Sequence, residues 1–316
     1  MRALNILTWP APDHYLQSLC QLPHHFHLMT NAQHPLRDRG RHGAWQWGEN
    51  VHVVPVEQAR FKQFDCILFQ HSRHYLEDQY LYLSESQRQL PRIFLEHDAP
   101  CAHPTDARHP ADDPSMLLVH VSPFNQLMWD NGDQPTRIIE YGAAVFPDVQ
   151  YRGEHASGLV VAHHLARRGR RHGSDLYRQF SLTVPLELVG AGSEEFGGHG
   201  DMAPAALTDF AAQFRFLFHP ARYAGVSIAV IEAMLIGMPV IGIATAEMSG
   251  LIDNGVSGYV DTDLRKLEAV MHELLQDPHY AFVLGRGAQR RARERFGMRH
   301  FTAQWNAALQ LVTDSI

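Results

Sequence analysis

The chain has 316 residues, 45% of them hydrophobic, and a formal net charge of -7. That length accommodates one large or two medium domains with developed cores, and the acidic balance excludes a protein built to grip nucleic acid. Three widely spaced cysteines (Cys20, Cys66, Cys101) make neither a metal pattern nor a disulfide framework, which points to a reducing, cytoplasmic setting, and no apolar run reaches the roughly 20 residues that span a bilayer.

In chain order, Leu4–Thr8 reads as a short strand, followed by a loop from Trp9 to His14 and a short helix from Tyr15 to Leu19. Phe26–Met29 reads as a second strand. The neighbouring cluster His24, His25 and His27 lacks metal-ligand spacing and reads as a solvated loop. Residues 31–50 are polar and aperiodic, hence loop. Val51–Val56 and Phe64–Phe69 are strands, the latter a continuous apolar run of the kind covered on both faces. Tyr75–Leu90 has a helical pattern that Pro91 stops. Arg92–Leu95, Leu117–Val121 and Arg137–Ile139 complete the strands of the first half, with a helix over Phe124–Trp129. Strands alternating with helices predict a doubly wound α/β domain.

Ligands of such sheets bind beyond the carboxyl ends of the strands. The polar residues there are Asp13 and His14, then Gln70 to Arg73, then Glu96, His97 and Asp98, then the run from Cys101 to His109. His97 is the leading proton-handling candidate, because imidazole can gain or lose a proton near neutral pH. The alternative is that His97 and Asp98 only hydrogen-bond a turn. His103 and His109 read as a flexible rim. The His, Asp run from His97 to Asp113 matches no helix or hairpin ligand set, so no metal site is expected.

In the second half, Gln150–Ala156 reads as a linker and Gly158–Ala162 as a strand. Arg167, Arg168, Arg170 and Arg171 then cluster around Gly169, and Ser174 caps a helix through Phe180. Guanidinium groups at a strand end suit a phosphate-rich ligand. Leu186–Val189 is a strand ending in Gly190-Ala-Gly192, and Ala206–Gln213 is helix. Phe214–Phe218 is a buried strand that His219-Pro220 ends. Gly225 and Ser227 open a helix that is apolar except for Glu232, and Gly237 with Pro239 stops it before the strand at Val240-Ile241. A helix opening from such a loop is an anion site, and a carboxylate within it is costly to bury unless something binds it. Glu247–Gly250 opens a further helix, Gly258–Val260 is a strand, and Leu264–Leu275 is an amphipathic core helix ended by Asp277-Pro278. Arg286–Arg295 reads as the solvated basic face of a helix, with peripheral membrane contact left open. Phe301, Trp305 and Leu309 mark a last helix with one aromatic face.

The run from Phe218 through Gly242, with Asn254-Gly255-Val-Ser-Gly258, Leu274–Pro278 and Glu294-Arg-Phe296, resembles the donor-binding domain of family-4 glycosyltransferases over roughly residues 158–300. The resemblance implies the GT-B fold, two Rossmann-like domains facing across a cleft. They would be an acceptor domain at 1–148, to which 301–316 crosses back, and a nucleotide-sugar donor domain at 149–300. The family pattern carries two glutamates with seven residues between them; the second corresponds to Glu232, placed on the nucleotide ribose, and Ala224 stands where the first, a donor-sugar contact, is expected. The family's basic pair corresponds to Arg167 or Arg168 with Arg170 or Arg171; Arg168 and Arg171 are taken as the diphosphate contacts, and Gly190, Arg222, Gly225, Val226 and Ser227 are expected in the donor site. The resemblance places His97 as the strand-end histidine of the first domain and puts Asp13 and His14 beside the acceptor. The implied activity is metal-independent, retaining transfer from a nucleotide-diphosphate sugar, needing no cofactor, to a sugar, lipid or protein acceptor. A non-catalytic nucleotide-sugar binder, motivated by Ala224, and a nucleotide-sugar epimerase are the alternatives.

Overall fold

The computed structural model describes residues 2–11, 14–31, 47–143 and 149–314. The chain divides into two compact units, one of Met1–Ala143 with Met298–Ile316 and one of Ala144–Gly297.

Unit 1 holds a seven-stranded parallel sheet in the order β3-β2-β1-β4-β5-β6-β7. Its strands are β1 (Asn5–Thr8), β2 (His25–Thr30), β3 (Val51–Pro55), β4 (Cys66–Phe69), β5 (Arg92–Glu96), β6 (Leu117–His120) and β7 (Thr136–Ile138). Every residue of β4 and β6 is buried, as expected of parallel strands covered on both faces. The helices are α1 (His14–Leu19), α2 (Val56–Ala59), α3 (Gln79–Tyr82), α4 (Glu85–Arg88) and α5 (Pro123–Met128). The strand order reverses between β1 and β4, so this is the switch point of the sheet.

Unit 2 holds a five-stranded parallel sheet in the order β12-β11-β10-β8-β9. The strands are β8 (His155–Val161), β9 (Leu186–Val189), β10 (Phe214–His219), β11 (Val240–Ile243) and β12 (Gly258–Asp261). Around them lie α6 (Leu165–Arg168), α7 (Ser174–Phe180), α8 (Pro204–Ala211), α9 (Ile228–Ile236), α10 (Met248–Leu251), α11 (Leu264–Gln276) and α12 (Pro278–Phe296). Here the order reverses between β8 and β10. Each unit is thus a parallel sheet with covering helices, a Rossmann-like architecture.

The last helix, α13 (Met298–Thr313), belongs to unit 1. Its apolar stripe (Phe301, Trp305, Ala308, Leu309) lies in the same core as β1, β5 and α1. Trp305 Nε1 donates to the Tyr15 hydroxyl at 3.0 Å, which donates to the Ile139 carbonyl at 2.8 Å. Each buried polar atom of that chain therefore keeps a partner.

Several sequence expectations are corrected here. His24 is not in a solvated loop; it is 2% exposed, accepts from the Leu4 amide and pairs with Asn306. His25 and His27 lie on β2, where strand pairing on both sides outweighs their polarity. The single helix expected over Tyr75–Leu90 breaks into a π-helical turn (His74–Asp78), α3 and α4. Leu83 is extended, and Ser84 opens α4 with a capping box to Gln87. The linker expected over Gln150–Ala156 is shorter, because β8 begins at His155 opposite Phe214. The basic residues of α12 are not simply solvated: Arg291 and Arg295 donate to the Leu251 and Gly250 carbonyls around the end of α10. Of the loop expected over 31–50, residues 32–46 lie outside the described residues.

Two buried imidazoles make the fold acid-sensitive. His74 stacks on Trp9, with centroids 4.6 Å apart, and burial lowers its pKa from 6.5 to about 3. Burial and then His52 lower that of His27 to about 4. A base held neutral in the fold contributes stability above its unfolded pKa, and that contribution is lost as pH falls from 6.5 toward the folded value. His74→Phe keeps the stack without the titration. It is expected to reduce the fall in stability between pH 6.5 and pH 5 by about 1–2 kcal/mol, measured as denaturant midpoints; a slope equal to that of the unsubstituted protein would contradict the assignment.

Candidate functional site

The carboxyl edge of the unit 2 sheet is built around its switch point. After β8 the chain runs through α6 and a 3-10 turn (Gly169–His172) that together carry all four clustered arginines. After β10 it runs through His219–Ser227 into α9. The two segments are bonded together. The Arg222 and Tyr223 amides donate to the Arg171 carbonyl at 2.9 and 3.3 Å. Arg171 Nε donates back to the Tyr223 carbonyl at 3.0 Å, and its guanidinium lies 4.8 Å from the centre of the Tyr223 ring.

Glycine makes that approach possible. Gly173 has φ +82°, and a Cβ there would sit 2.2 Å from the Pro220 carbonyl oxygen. Both the backbone conformation and the space therefore require glycine. At the end of β9, Gly190 (φ +130°) approaches the Ala162 carbonyl, which a Cβ would meet at 2.5 Å.

Among the residues expected from sequence, Arg168 is exposed on the arginine segment and Arg171 is half-buried against Tyr223. Arg222 is held by a carboxylate: Nη1 and Nη2 donate to the two oxygens of Asp175 at 2.7 and 2.8 Å, and Nη1 also donates to the Arg170 carbonyl. Arg170 joins the same carboxylate at 2.7 Å. These hydrogen bonds, Arg222 first, lower the Asp175 pKa. Asp175 was absent from the sequence reading, although its place in the first turn of α7 beside an arginine run was the available signal.

Gly225, Val226 and Ser227 line a recess at the amino end of α9, together with Ala224 and Thr245 to Met248. Ser227 is the N-cap but makes no side-chain cap hydrogen bond, and its carbonyl accepts from the Val230 and Ile231 amides. At the other end, the Gly237 and Met238 amides close a Schellman motif onto the Met234 and Ala233 carbonyls. Sequence reasoning missed Glu247. It is 7% exposed, lines this recess and follows Ala246, a non-glycine residue at φ +50°. Its position just past β11 was the signal.

Glu232 occupies a different recess. One turn into α9, it faces Leu207, Thr208 and Ala211 on the α8 side, with Val161 from β8. Burial alone raises its pKa from 4.5 to about 7. His219, at the end of β10, is lowered to about 4, by burial first and then by His172. The switch-point end of β10 thus carries a neutral imidazole, and its helix a carboxyl that titrates near neutrality.

In unit 1, the carboxyl ends of β1, β4 and β5 meet around Gln70. Gln70 Nε2 donates to Thr8 Oγ1 at 2.8 Å and to the Trp9 carbonyl at 3.2 Å, and Gln70 Oε1 lies 3.3 Å from His97 Nε2. Asp98 is exposed; its amide donates to Glu96 and its carbonyl accepts from Trp129 Nε1. His14 opens α1, and Asp13 lies outside the described residues. His109 is not on a flexible rim. It is 2% exposed, sits 3.1 Å from Glu96, and packs edge-on against Phe94 and Trp129. Among the described residues, no three or more His, Cys, Asp or Glu are grouped so as to hold a metal ion.

Residues 186–277 match the family described as Glycosyl transferases group 1. The matched residues all lie in unit 2. The chain is similar in fold to the sucrose-phosphate synthase of Thermosynechococcus elongatus, with 13% identity, full coverage of both chains and a TM-score of 0.74. It is likewise similar to HepE of Anabaena in complex with UDP (14% identity, 98% of this chain and 100% of that one, TM-score 0.70). AviGT4, a glycosyltransferase of avilamycin A biosynthesis, matches at 13% identity over 99% of each chain, TM-score 0.64. A search of curated proteins by sequence finds no match. No described helix is long and apolar enough to cross a membrane.

Two outcomes test this geometry in unit 2. Glu232→Gln removes a carboxylate whose ionisation opposes folding. A carboxyl with a raised folded pKa costs nothing below its unfolded value, and the cost grows as pH rises from 4.5 to about 7. The variant should match the parent in stability at pH 4 and exceed it by about 1–3 kcal/mol at pH 8; an equal advantage at both pH values would show that the effect is not ionisation. Gly173→Ala should cost about 2–4 kcal/mol, from strain at positive φ and collision with Pro220. Calorimetry measures that loss, and a Tm within a degree of the parent would refute the close approach.

Proposed function

We propose that the chain is a glycosyltransferase that takes its sugar from a nucleotide-diphosphate donor, with a UDP-sugar as the leading candidate. The observation that carries the reading is the switch point of unit 2, where the arginine segment after β8 is bonded to the loop that opens α9. Arg168 and Arg171, with the amides of Gly225, Val226 and Ser227, are suited to hold a diphosphate. The same groups would stabilise charge as the diphosphate leaves, a task otherwise given to a divalent ion. Arg222 supports the loop through Asp175. Gly190 keeps the end of β9 close to the Ala162 carbonyl after β8, and we assign it to the donor site. Glu232, in its own recess, accepts from the ribose hydroxyls.

In unit 1, His97 and Asp98 are assigned to the reacting sugar and acceptor, and Asp13 with His14 to the acceptor. The acceptor is a sugar, lipid or protein hydroxyl, transfer retains the anomeric configuration, and no metal or other cofactor takes part. A second reading, a nucleotide-sugar binding protein without turnover, is favoured by one observation: the recess beside Gly225 carries Ala224, which has no carboxylate to offer a sugar.

The solved structures of HepE with UDP and with UDP-glucose set the choice of probe. Isothermal titration should show binding of UDP and UDP-glucose, weakened about tenfold in Glu232→Ala, equivalent to about 1.4 kcal/mol. Equal affinity for parent and variant would remove Glu232 from the site. Release of glucose from UDP-glucose with unchanged rate in EDTA supports the metal-independent enzyme, and binding without release across acceptor hydroxyls supports the second reading.

A further inference from the structure

α12 carries five arginines, and helical geometry divides them into two sets. Arg291 and Arg295 lie one turn apart on the flank that bonds the Leu251 and Gly250 carbonyls, and Arg291 also pairs with Asp253. Arg286, Arg290 and Arg293 recur at spacings of four and three residues, so they form one stripe on the outer face, and all three are exposed. Among the described residues, none of these three side chains has an ion pair or a hydrogen bond. Like charges one turn apart repel, and the helix dipole favours a cation only in the last turn, at Arg293. Glu294, the one acidic residue of α12, lies at the edge of the stripe. Apolar side chains flank the same face. Phe282 and Val283 are 49% and 50% exposed, one turn before Arg286. Val256, 49% exposed, lies beside them: its Cγ1 would be 3.5 Å from a Cβ on Gly287, the residue one turn after Val283. The buried side of the helix is formed by Leu284, Ala288, Ala292 and Phe296, so the three exposed side chains lie outside the core.

We propose that the outer face of α12 docks unit 2 on an anionic lipid bilayer. The arginines meet headgroup phosphates and carboxylates, and Phe282, Val283 and Val256 enter the interface. The guanidinium fork matches such oxygens, and an anionic surface removes the repulsion along the stripe. A polynucleotide or an acidic protein would satisfy the cations alone. The bilayer interface also takes up the apolar side chains beside them. The net charge of -7 does not cancel this attraction, because a surface charge is felt only within about 10 Å at moderate salt.

The test is co-sedimentation of the whole chain with vesicles. Phosphatidylcholine vesicles with about one third phosphatidylserine should carry the protein down, and pure phosphatidylcholine should not. The combined substitution Arg286→Gln, Arg290→Gln and Arg293→Gln should lower the partition coefficient about a hundredfold. Phe282→Ser keeps every charge and should lower it about tenfold. All four positions are exposed, and a melting temperature equal to the parent's shows that each variant is folded. Equal sedimentation with both vesicle types overturns the proposal, as does an arginine variant that binds anionic vesicles as the parent does. A chain that binds polyuridylate through the same arginines and leaves the anionic vesicles in solution overturns the lipid in favour of a polynucleotide. Vesicle binding is read without a sugar donor, so its failure leaves the glycosyltransferase reading standing, and a failure to bind UDP-glucose leaves the docking result standing.

Discussion

Unit 2 depends on the backbone approach of Gly173 to Pro220. It brings the arginine segment after β8 to the loop after β10, and only a residue without a Cβ permits it. Once the segments touch, the amides of Arg222 and Tyr223 find the Arg171 carbonyl, and Arg171 returns a hydrogen bond to Tyr223. Strand order decides which loops meet: β8 and β10 are neighbours while β9 lies outside β8, so their connections diverge and open a crevice.

Charge within this unit follows one rule: a buried ionic group persists where it has partners. Arg215, 5% exposed on β10, donates to the carbonyls of Gly153, Leu274 and Leu275, the last two at the carboxyl end of α11. Arg222 and Arg170 share Asp175. Burial raises the Glu232 pKa from 4.5 to about 7, so its charge is the one that the fold disfavours.

Unit 1 solves a different problem at its own switch point. There a hydrogen-bonded chain of side chains runs from the Leu68 carbonyl through Thr8 and Gln70 to His97. The C-terminal helix α13 completes the core beneath, with Trp305, Tyr15 and Ile139 in one hydrogen-bonded chain.

Much of this was legible in the sequence, because parallel strands write themselves as short apolar runs and turns as Gly and Pro. The strands around Phe69, Leu95, Val119, Val160, Phe216 and Ile241, the α9 stop at Gly237, and Glu232 as an unusual carboxyl all follow from local pattern. So do the arginine cluster and the strand-end position of His97. Side-chain partners between distant segments do not. The burial of His24 and His109, the Asp175 clamp on Arg222, and the division of Glu232 and the Gly225 loop between two recesses depend on which strands become neighbours. The break of the Tyr75–Leu90 helix at Leu83 was local but hidden, because Ser84 within an amphipathic run is equally a surface residue and a cap. The sequence by itself determined the two α/β units and the kinds of group at their strand ends. The tertiary structure alone decided which of those groups touch, since contact across a parallel sheet is set by strand order and by the few glycines that let backbones meet.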